Sequence, residues 1–366
     1  TFTLNGLLQF SFLNMGGKSS RAKYDRDHRN QHSISEQTLN SPTAASLATD
    51  IDAGRRSSPP LHRDAVTSVR YCGSPWEIAS GSRGMVVART YWNSMHGKGS
   101  SQVSFHTKPI TQVIFCKETG QIYSCSRDKT VRQWLPGSNI EPRVFNGHKM
   151  AVTGVALCGP GSHRIVSGSR DGTVCSWDSQ QQTLLRSTHV ARNVITSLKQ
   201  IADTSQIIQA SEDKMVRIWD TNTLTNVVTF PRQQYIHTCC DASNDENTFL
   251  TGSNGLDGNG CTGMLWDRRS VKLMGTLVGH DQAIMACCFL PSTNMSSSPL
   301  VATASRDSSI RIWSLNNVSC VAITHLSHVP YSLDAVAGPG GSVNIIAGLA
   351  NGDVLVLGLR GSQTNE

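Results

Sequence analysis

The stretch from Val166 to Asp178 decides the fold, and it reads V-S-G-S-R-D-G-T-V-C-S-W-D. Alternating apolar and polar residues flank the R-D-G segment, which predicts two short strands joined by a tight turn. Asp171 and Trp177 are six residues apart, and because side chains alternate along a strand they fall on one face. The pair Gly147-His148 stands upstream, before another alternating segment. The stretch therefore predicts a small antiparallel sheet with an aspartate, a tryptophan and a histidine at fixed places.

The same pattern recurs along the chain. Copies that end in tryptophan, with an aspartate six residues earlier, are Asp128 to Trp134, Asp213 to Trp219 and Asp307 to Trp313. Weaker copies end at Trp266 after a glycine-rich insertion, at Trp92 with Gly84 in the aspartate's place, and at Leu357 with Asn351 in that place. Successive ends lie 42 to 47 residues apart, close to the roughly 40–45 residues of one propeller blade. The spacing predicts seven repeated units.

These units resemble the WD repeat, the four-stranded blade of a β-propeller. The resemblance implies an all-β fold, a seven-bladed WD-repeat β-propeller over residues 61–366. Residues 1–60 lack periodicity and are rich in serine, threonine and asparagine, which predicts a disordered N-terminal arm. The tail after Leu357 is short, so the segment just before His62 is the candidate for the strand that closes the ring.

The predicted arm contains a candidate lipidation motif. Met15-Gly16-Gly17-Lys18-Ser19-Ser20 fits the pattern for N-myristoylation of Gly16, provided that translation starts at Met15. One myristoyl chain binds membranes only weakly, with an association constant of about 10⁴ per molar. The basic residues Lys18, Arg21, Lys23, Arg26 and Arg29 would add attraction to an anionic leaflet. We therefore expect a membrane-surface contact through this arm; the alternative is a chance match to a short pattern.

Composition narrows the functional classes. The chain has 366 residues, 38% of them hydrophobic, enough for a large core, and no apolar run reaches the ~20 residues of a membrane-spanning helix. The eleven cysteines include no C-x-x-C pair, which favours reduced thiols over a disulfide framework or a zinc site. The net charge of +7 comes without interleaved aromatics, so no specific nucleic-acid signal is present. We expect a cytoplasmic, monomeric propeller without cofactor or metal.

Histidine, serine and aspartate recur in an arrangement that superficially matches a nucleophilic triad. Full sets are His106, Asp128 and Trp134; His148, Asp171 and Trp177; and His280, Asp307 and Trp313. The fourth unit has Asp213 and Trp219 but no aligned histidine. In WD repeats, which these units resemble, such residues form structural hydrogen-bond tetrads. Because an active site is normally built once and these sets recur, the sequence predicts that the chain is not an enzyme.

The residue just before each turn aspartate faces the rim of the central channel in WD repeats. Here that residue is arginine in four units: Arg83, Arg127, Arg170 and Arg306. A ring of arginines would bind acidic or phosphorylated peptides through paired hydrogen bonds. The alternative is that an exposed turn position accepts any polar residue.

Short sequence motifs suggest two alternative functions. The strings at 152–156, 192–196, 253–255 and 265–269 resemble one group of WD-repeat proteins, which implies an adaptor at the ciliary base that works with small-GTPase regulators in intraflagellar and BBSome trafficking. The alternative uses Trp266-Asp267-Arg268-Arg269, which fits the W-D-x-R pattern with which substrate receptors dock onto cullin–RING ubiquitin ligases.

Overall fold

The computed structural model describes residues 50–56, 61–91, 100–138, 140–159, 161, 163–190, 194–292 and 298–360. These residues form seven four-stranded antiparallel sheets. Each sheet is one blade, and the inner strand of every blade contacts the inner strands of both neighbouring blades, so the blades close into a ring. The predicted fold class, an all-β seven-bladed propeller, is confirmed. The only helical segment in the described part is a single 3₁₀ turn at Pro339–Gly341.

The first strand of the chain is β1 (Asp50–Arg56). Blades 1 to 3, each from inner to outer strand, consist of β2 (Val66–Tyr71), β3 (Glu77–Ser82), β4 (Val87–Tyr91) and β5 (Ser100–Val103); β6 (Ile110–Phe115), β7 (Ile122–Ser126), β8 (Thr130–Trp134) and β9 (Arg143–Asn146); and β10 (Val152–Leu157), β11 (Arg164–Ser169), β12 (Thr173–Asp178) and β13 (Thr183–His189).

Blades 4 to 7, in the same order, consist of β14 (Ile195–Gln200), β15 (Gln206–Ser211), β16 (Val216–Asp220) and β17 (Thr225–Thr229); β18 (His237–Ala242), β19 (Thr248–Ser253), β20 (Gly263–Asp267) and β21 (Lys272–Leu277); β22 (Ile284–Phe289), β23 (Leu300–Ser305), β24 (Ser309–Ser314) and β25 (Ser319–His325); and β26 (Pro330–Ala337), β27 (Val343–Leu349), β28 (Val354–Arg360) and then β1.

The ring is closed by the N-terminal side of the chain. Strand β1 pairs antiparallel with β28, with Ile51 opposite Leu359 and Arg56 opposite Leu355. The segment before His62, a candidate for the closing strand, thus supplies that strand. However, β1 lies within the stretch 1–60 that composition assigns to an arm, so the propeller begins before residue 61. Residues 1–49, including Met15 and Gly16, lie outside the described residues.

A hydroxyl ladder joins most of the blades. The inner strand of every blade has a register shift near its start, and in blades 1 to 5 the shifted residue is a threonine. Its hydroxyl donates to a backbone carbonyl of the next blade at 2.6 to 2.8 Å. The threonines are Thr67, Thr111, Thr153, Thr196 and Thr238.

The ladder stops at blades 6 and 7, where Met285 and Tyr331 take the threonine's place. At the junction of blades 7 and 1, the Asp334 carboxylate accepts a hydrogen bond from the Tyr71 backbone N–H at 2.8 Å. The same carboxylate pairs with the Arg70 guanidinium at 3.3 Å. At the junction of blades 7 and 1, an ion pair and a hydrogen bond to the backbone are thus present in place of the threonine bond.

Between the blades lies an apolar core built around tryptophans. Trp177, Trp219, Trp266 and Trp313 are each at most 1% exposed. An indole buries roughly 200 Å², so these third-strand residues supply much of the apolar area between blades. All eleven cysteines are free thiols, and only Cys320 is exposed. No helix in the described ranges combines the length and apolarity needed to cross a bilayer.

Candidate functional site

One corner of each blade occupies an equivalent position. The residue after the second strand donates its backbone N–H to a carbonyl just before the first strand, as from Arg127 to Pro109 at 3.0 Å and from Arg170 to Ala151 at 2.9 Å. The residues in this position, which we call the corner rim, are Arg83, Arg127, Arg170, Glu212, Asn254, Arg306 and Ala350. The structure therefore brings the four sequence-predicted arginines to one end of the propeller.

The neighbours of each corner residue explain why its side chain is left outside. In blade 3, the Ser169 hydroxyl donates to the Ala151 carbonyl at 2.9 Å, and it accepts from the Asp171 backbone N–H at 3.1 Å. The Asp171 carboxylate accepts from the Thr173 backbone N–H at 2.9 Å. Gly172 completes the turn with a φ of 81°, which glycine adopts without strain. The serine and the aspartate turn inward, so Arg170 between them faces solvent.

Electrostatics differ around the rim. Arg170 pairs with Glu212 of the next blade at 3.0 Å, and its side chain is still 48% exposed. Arg83 stacks over the Tyr331 ring at 4.9 Å across the junction of blades 1 and 7. Arg127 and Arg306 are exposed, and neither has an ion-pair partner in the part of the chain that the structure describes. These two cations are therefore available to an incoming anion.

Blade 3 contains a complete polar clasp beneath the rim. The Trp177 indole N–H donates to the Ser167 hydroxyl at 2.7 Å, and that hydroxyl also contacts His148 Nε2 at 2.7 Å. His148 Nδ1 lies 2.8 Å from the Thr173 hydroxyl and 3.5 Å from the Asp171 carboxylate. Ser167 is fully buried and both of its partners are protein groups. This hydroxyl cannot reach a substrate, so the clasp is structural.

Packing against Trp177 requires a glycine in the Gly-His pair of blade 3. A Cβ on Gly147 would lie 2.9 Å from a ring carbon of Trp177, too close for any larger residue without movement of the indole. The pair thus sets the distance between the loop and the buried tryptophan, and it places the imidazole of His148 edge-on to that ring at 5.9 Å.

Blade 6 repeats the clasp with threonine in place of serine. Trp313 donates to the Thr303 hydroxyl at 2.8 Å, Thr303 contacts His280 Nε2 at 2.8 Å, and His280 Nδ1 contacts Asp307 at 2.8 Å. Burial pushes the pKa of the Asp307 carboxyl upward, but hydrogen bonds from Ser309 and His280 outweigh it and bring the pKa to about 2. Burial lowers the pKa of His280. The aspartate is a fixed anion, not a proton carrier at neutral pH.

Blade 2 departs from the predicted set. His106 contacts Asp128 and Ser124 at 2.8 Å each, as expected. The indole N–H of Trp134, however, has no hydrogen-bond partner among the described residues. The expected tetrad is therefore a histidine–aspartate–serine chain beside a tryptophan that is held by packing alone.

Blade 4 uses residues that sequence reasoning missed. Asp213 pairs with the Arg217 guanidinium at 2.6 Å, with only 7% of the Arg217 side chain exposed. Trp219 donates to the Gln209 side-chain carbonyl at 2.6 Å. The missing histidine was the available signal, because an aspartate in this turn needs another donor. That donor is Arg217, which lies two residues before Trp219 and four residues after Asp213.

Blades 5 and 1 hold histidines without a carboxylate partner. His237 is fully buried, stacks edge-on against Trp266 at 6.0 Å, and neither ring nitrogen has a hydrogen-bond partner in the described ranges. His62 contacts the Ser80 hydroxyl at 2.8 Å through Nε2 only. Burial lowers the pKa of both histidines to about 4. Trp92, the predicted end of the first repeat, lies outside the described residues.

The W-D-x-R string has a largely structural setting. Trp266 is buried and donates to the Thr251 hydroxyl at 2.9 Å. The Asp267 carboxylate caps the following turn by accepting from the Ser270 backbone N–H at 2.9 Å. Arg268 reaches Gln206 of blade 4 at 2.5 Å. Arg269 is exposed, and its Nε donates to the Asn247 side chain at 3.2 Å.

Within the described ranges, no group of three or more histidine, cysteine, aspartate or glutamate side chains is arranged to hold a metal ion. The histidine–aspartate clusters of blades 2, 3 and 6 are clasps, and each is enclosed by its own blade. What the described end of the propeller offers to a partner is the corner rim, with exposed cations on blades 1, 2, 3 and 6.

Comparison with known proteins agrees with this architecture. Four segments match the family model for WD40 (WD domain, G-beta repeat), at residues 98–134, 140–178, 180–220 and 271–314. They end at or just after the third strands of blades 2, 3, 4 and 6. The crystal structure of the WD40 β-propeller domain of Doa1 superposes with a TM-score of 0.69 at 19% identity, covering 87% of this chain and 98% of that one.

Curated relatives are more distant in sequence. Nuclear distribution protein nudF of Aspergillus niger is 24% identical over 304 residues, which cover 75% of this chain and 66% of the relative. Nuclear distribution protein PAC1 of Arthroderma benhamiae is 26% identical over 350 residues, covering 88% and 73%. Pre-mRNA-processing factor 19 homolog 2 of Arabidopsis thaliana is 27% identical over 247 residues, covering 65% and 45%. The chain is thus a seven-bladed β-propeller in which four segments match the WD40 repeat.

Proposed function

We propose that this chain is a non-enzymatic scaffold that binds acidic or phosphorylated segments of partner proteins on its corner rim. The observation that carries the proposal is the state of Arg127 and Arg306, which are exposed at equivalent corners and unpaired in the described part of the chain. An exposed guanidinium offers several donors in a fixed plane, suited to carboxylate or phosphate oxygens.

The surroundings of these arginines strengthen the positive field. Exposed lysines flank the corners of blades 2 and 3, namely Lys108, Lys129 and Lys149. Clustered cations attract an anionic segment and speed its association, an effect that falls as salt screens it. Glu212 interrupts the ring at blade 4, where it neutralises Arg170. We therefore place the strongest contact on blade 2 and on the separate corner of blade 6.

A binding titration with an acidic probe tests the proposal. Fluorescein-labelled octaglutamate should bind the wild-type protein at low salt, and the double variant Arg127→Glu/Arg306→Glu should bind it at least about tenfold more weakly, because two charge-assisted contacts become repulsive. The matched control is Lys117→Glu/Lys272→Glu, which changes the net charge equally at exposed positions away from the rim. Equal weakening in the control would mean a net-charge effect and would contradict a rim site.

The finer setting of this scaffold rests on resemblance to WD repeat-containing protein 31. That resemblance supports a role as an adaptor at the ciliary base, with small-GTPase regulators as partners and with Gly16 acylated. In a protein that starts at Met15, Gly16→Ala should abolish labelling by a myristate analogue and release the protein from membranes. Unchanged labelling or membrane partition would exclude this role of Gly16.

A second candidate function is docking onto a cullin–RING ligase adaptor through Arg269. The observation that favours it is the exposure of Arg269, whose side chain donates to Asn247 and to no other group among the described residues. Co-purification of the ligase adaptor, lost in Arg269→Ala and kept in Arg268→Ala, would support this function. Absence of the adaptor from wild-type preparations would exclude it. The nuclear distribution names describe those relatives, which are 24–26% identical to this chain, and no role is carried over from them.

A further inference from the structure

A polar cavity of about 410 Å³ lies between blades 2 and 3. Its walls come from strand residues and connections at the end of the propeller opposite the corner rim, and they include Tyr123, Gln133, Arg143, Leu157, His163 and Ser179. The volume falls in the range of roughly 300–1,000 Å³ that is usual for small-ligand sites. This cavity is separate from the rim and takes no part in the function proposed above.

The strand register shows that the cavity wall differs from the same position in blades 4 to 6. Tyr123 on β7, Gln133 on β8 and Arg143 on β9 stand directly opposite one another, so their side chains share one face of the sheet. The corresponding trios in blades 4 to 6 carry no polar side chain: Ile208, Ile218 and Val228; Leu250, Leu265 and Gly275; and Ala302, Ile312 and Ala322. Blade 2 thus replaces apolar packing with a hydroxyl, a carboxamide and a guanidinium.

The carboxamide of Gln133 is only partly satisfied. Gln133 is 3% exposed, and its Nε2 donates to Gln121 Oε1 at 2.5 Å and to the Tyr123 hydroxyl at 3.0 Å. Its Oε1 atom has no hydrogen-bond partner among the described residues. A buried acceptor without a donor is destabilising, so this oxygen marks a place where a ligand N–H would be stabilised.

The charge of the cavity indicates a second group that the ligand must carry, in addition to an N–H donor. Arg143 uses one guanidinium nitrogen, Nη1, to donate to the Ser179 and Gln180 carbonyls at 2.9 and 3.2 Å. Its remaining donors have no partner in the described part of the chain, and no aspartate or glutamate lines the cavity. An occupant must therefore bring an anionic acceptor to Arg143 and an N–H donor to Gln133.

A peptide carboxyl terminus has both groups at adjacent positions. We propose that this cavity binds the carboxyl terminus of a partner polypeptide, with the terminal carboxylate on the Arg143 guanidinium and the last backbone N–H donated to Gln133 Oε1. Leu157 offers an apolar contact for the last side chain. Arginine suits the planar carboxylate because it can give two parallel hydrogen bonds.

Two peptide libraries that differ in a single group test the proposal. The probes are an N-acetylated degenerate tetrapeptide library with free carboxyl termini and the same library with amidated termini, followed by saturation-transfer NMR and calorimetry. The wild-type protein should bind the free acids, and the amides at least about tenfold more weakly, since amidation removes the charge that Arg143 meets. No binding of the free acids, or equal binding of the amides, would overturn the proposal.

Variants separate ligand contacts from blade contacts. Arg143→Gln should lose at least about tenfold in affinity for the free acids, whereas Arg186→Gln should not. Arg186 is the matched control because it stands at the same register in blade 3 and likewise donates to a carbonyl of the next blade, that of Thr223 at 3.5 Å. Equal losses in both variants would contradict a carboxylate site on Arg143.

A third variant tests the role of the buried carboxamide. Gln133→Leu copies Leu265 of blade 5, so it should fold with an unchanged or higher Tm and lose binding of the free acids. Retained binding would overturn the role of Gln133 Oε1, and if this variant fails to fold, the Arg143 and Arg186 pair still decides. The rim variant Arg127→Glu/Arg306→Glu should bind the free acids as the wild type does, and a loss there would place their site on the rim and contradict the cavity.

Discussion

Blades 3 and 4 are neighbours that meet the same physical requirement with different residues. In blade 3, His148 and Thr173 surround the turn carboxylate of Asp171, and Ser167 accepts from the indole of Trp177. In blade 4, a buried arginine pairs with the turn carboxylate and a glutamine accepts from the indole. In both blades the indole has an acceptor and the turn carboxylate has a donor, but different residues supply them.

The clasps and the corner rim differ in what restricts the choice of residue. Each clasp is defined by what a buried polar group needs, so a change of residue in one place is matched by another nearby. The corner residues are exposed or half-buried, and at this position the blades differ between arginine, glutamate, asparagine and alanine. We therefore expect substitutions in the clasps to alter stability and substitutions on the rim to alter binding.

Acid should produce the largest effect, through the histidines that lack a carboxylate. Burial lowers the pKa of His62 and His237 from 6.5 to about 4. Their contribution to stability is complete above pH 6.5 and is lost as the pH falls from 6.5 toward 4, since the unfolded chain takes up protons first. At pH 4.5 the loss is on the order of 5 kcal/mol for the two together, measured by urea unfolding across that range.

Replacement of one such histidine should flatten the pH profile. His237→Phe keeps an aromatic ring against Trp266 and removes the titrating group, so the free energy of unfolding lost between pH 6.5 and 4.5 should shrink by about 2.5 kcal/mol, half of the joint contribution of His62 and His237. The control is His189→Phe on the exposed outer strand of blade 3, which should leave the profile as it is. An identical slope for His237→Phe and the wild type would show that His237 is not a source of acid sensitivity.

In blade 4, loss of the arginine should be the next largest effect. Arg217→Met keeps the length of the side chain but leaves the Asp213 carboxylate, whose side chain is 14% exposed, without its cation. We expect a loss of about 3 kcal/mol in the free energy of unfolding, measured by urea denaturation.

Arg132→Met is the matched control, because Arg132 stands at the same register in blade 2, where His106 already contacts the aspartate. It should cost much less. Equal losses in the two variants would mean that the arginine contributes through packing alone and does not replace the histidine.

In blade 3, removal of the turn carboxylate should cost somewhat less. Asp171→Ala leaves the backbone N–H groups of Lys149 and Thr173 without the acceptor that they have at 2.6 and 2.9 Å. We expect a loss of about 2 kcal/mol, read as a lower Tm by calorimetry. The adjacent Arg170→Ala should change stability by less than about 0.5 kcal/mol. An unchanged Tm for Asp171→Ala would contradict the clasp.

The smallest effect should come from the hydroxyl ladder. Thr153→Val keeps the shape of the side chain and removes the bond to the Ile195 carbonyl of blade 4, which is 2.8 Å long. The expected loss is about 1 kcal/mol, measured against Thr183→Val on the exposed outer strand of blade 3. Blades 6 and 7 lack this threonine, so a loss much larger than this would be hard to reconcile with their intact junctions.

The fold class could be predicted from the sequence because the same residue pattern recurs in most blades. The tryptophan spacing gave the number of blades, and the R-D-G turn of blade 3 gave the position of the corner. The clasps of blades 3 and 6 follow directly from His148 and His280. These features depend on local register, which alternation along a strand already determines.

Features that depend on which partner a side chain meets, or on contacts between distant residues, were not predicted. Arg217 shares its register with Arg132, and only the absence of a nearby histidine makes it the partner of Asp213. The unpartnered indole of Trp134 and the cavity beside Gln133 arise from how blades 2 and 3 pack. The early start of the propeller was missed because β1 carries no repeat pattern of its own and pairs with the last strand of the chain.

The most direct test compares a rim variant and a clasp variant in the same titration with labelled octaglutamate, below the Tm of both. Our account predicts that Arg127→Glu/Arg306→Glu binds at least about tenfold more weakly with an unchanged Tm, while Asp171→Ala has a lower Tm and wild-type affinity. Wild-type affinity in the rim variant, or a loss of affinity confined to the clasp variant, would contradict the separation of recognition from structure.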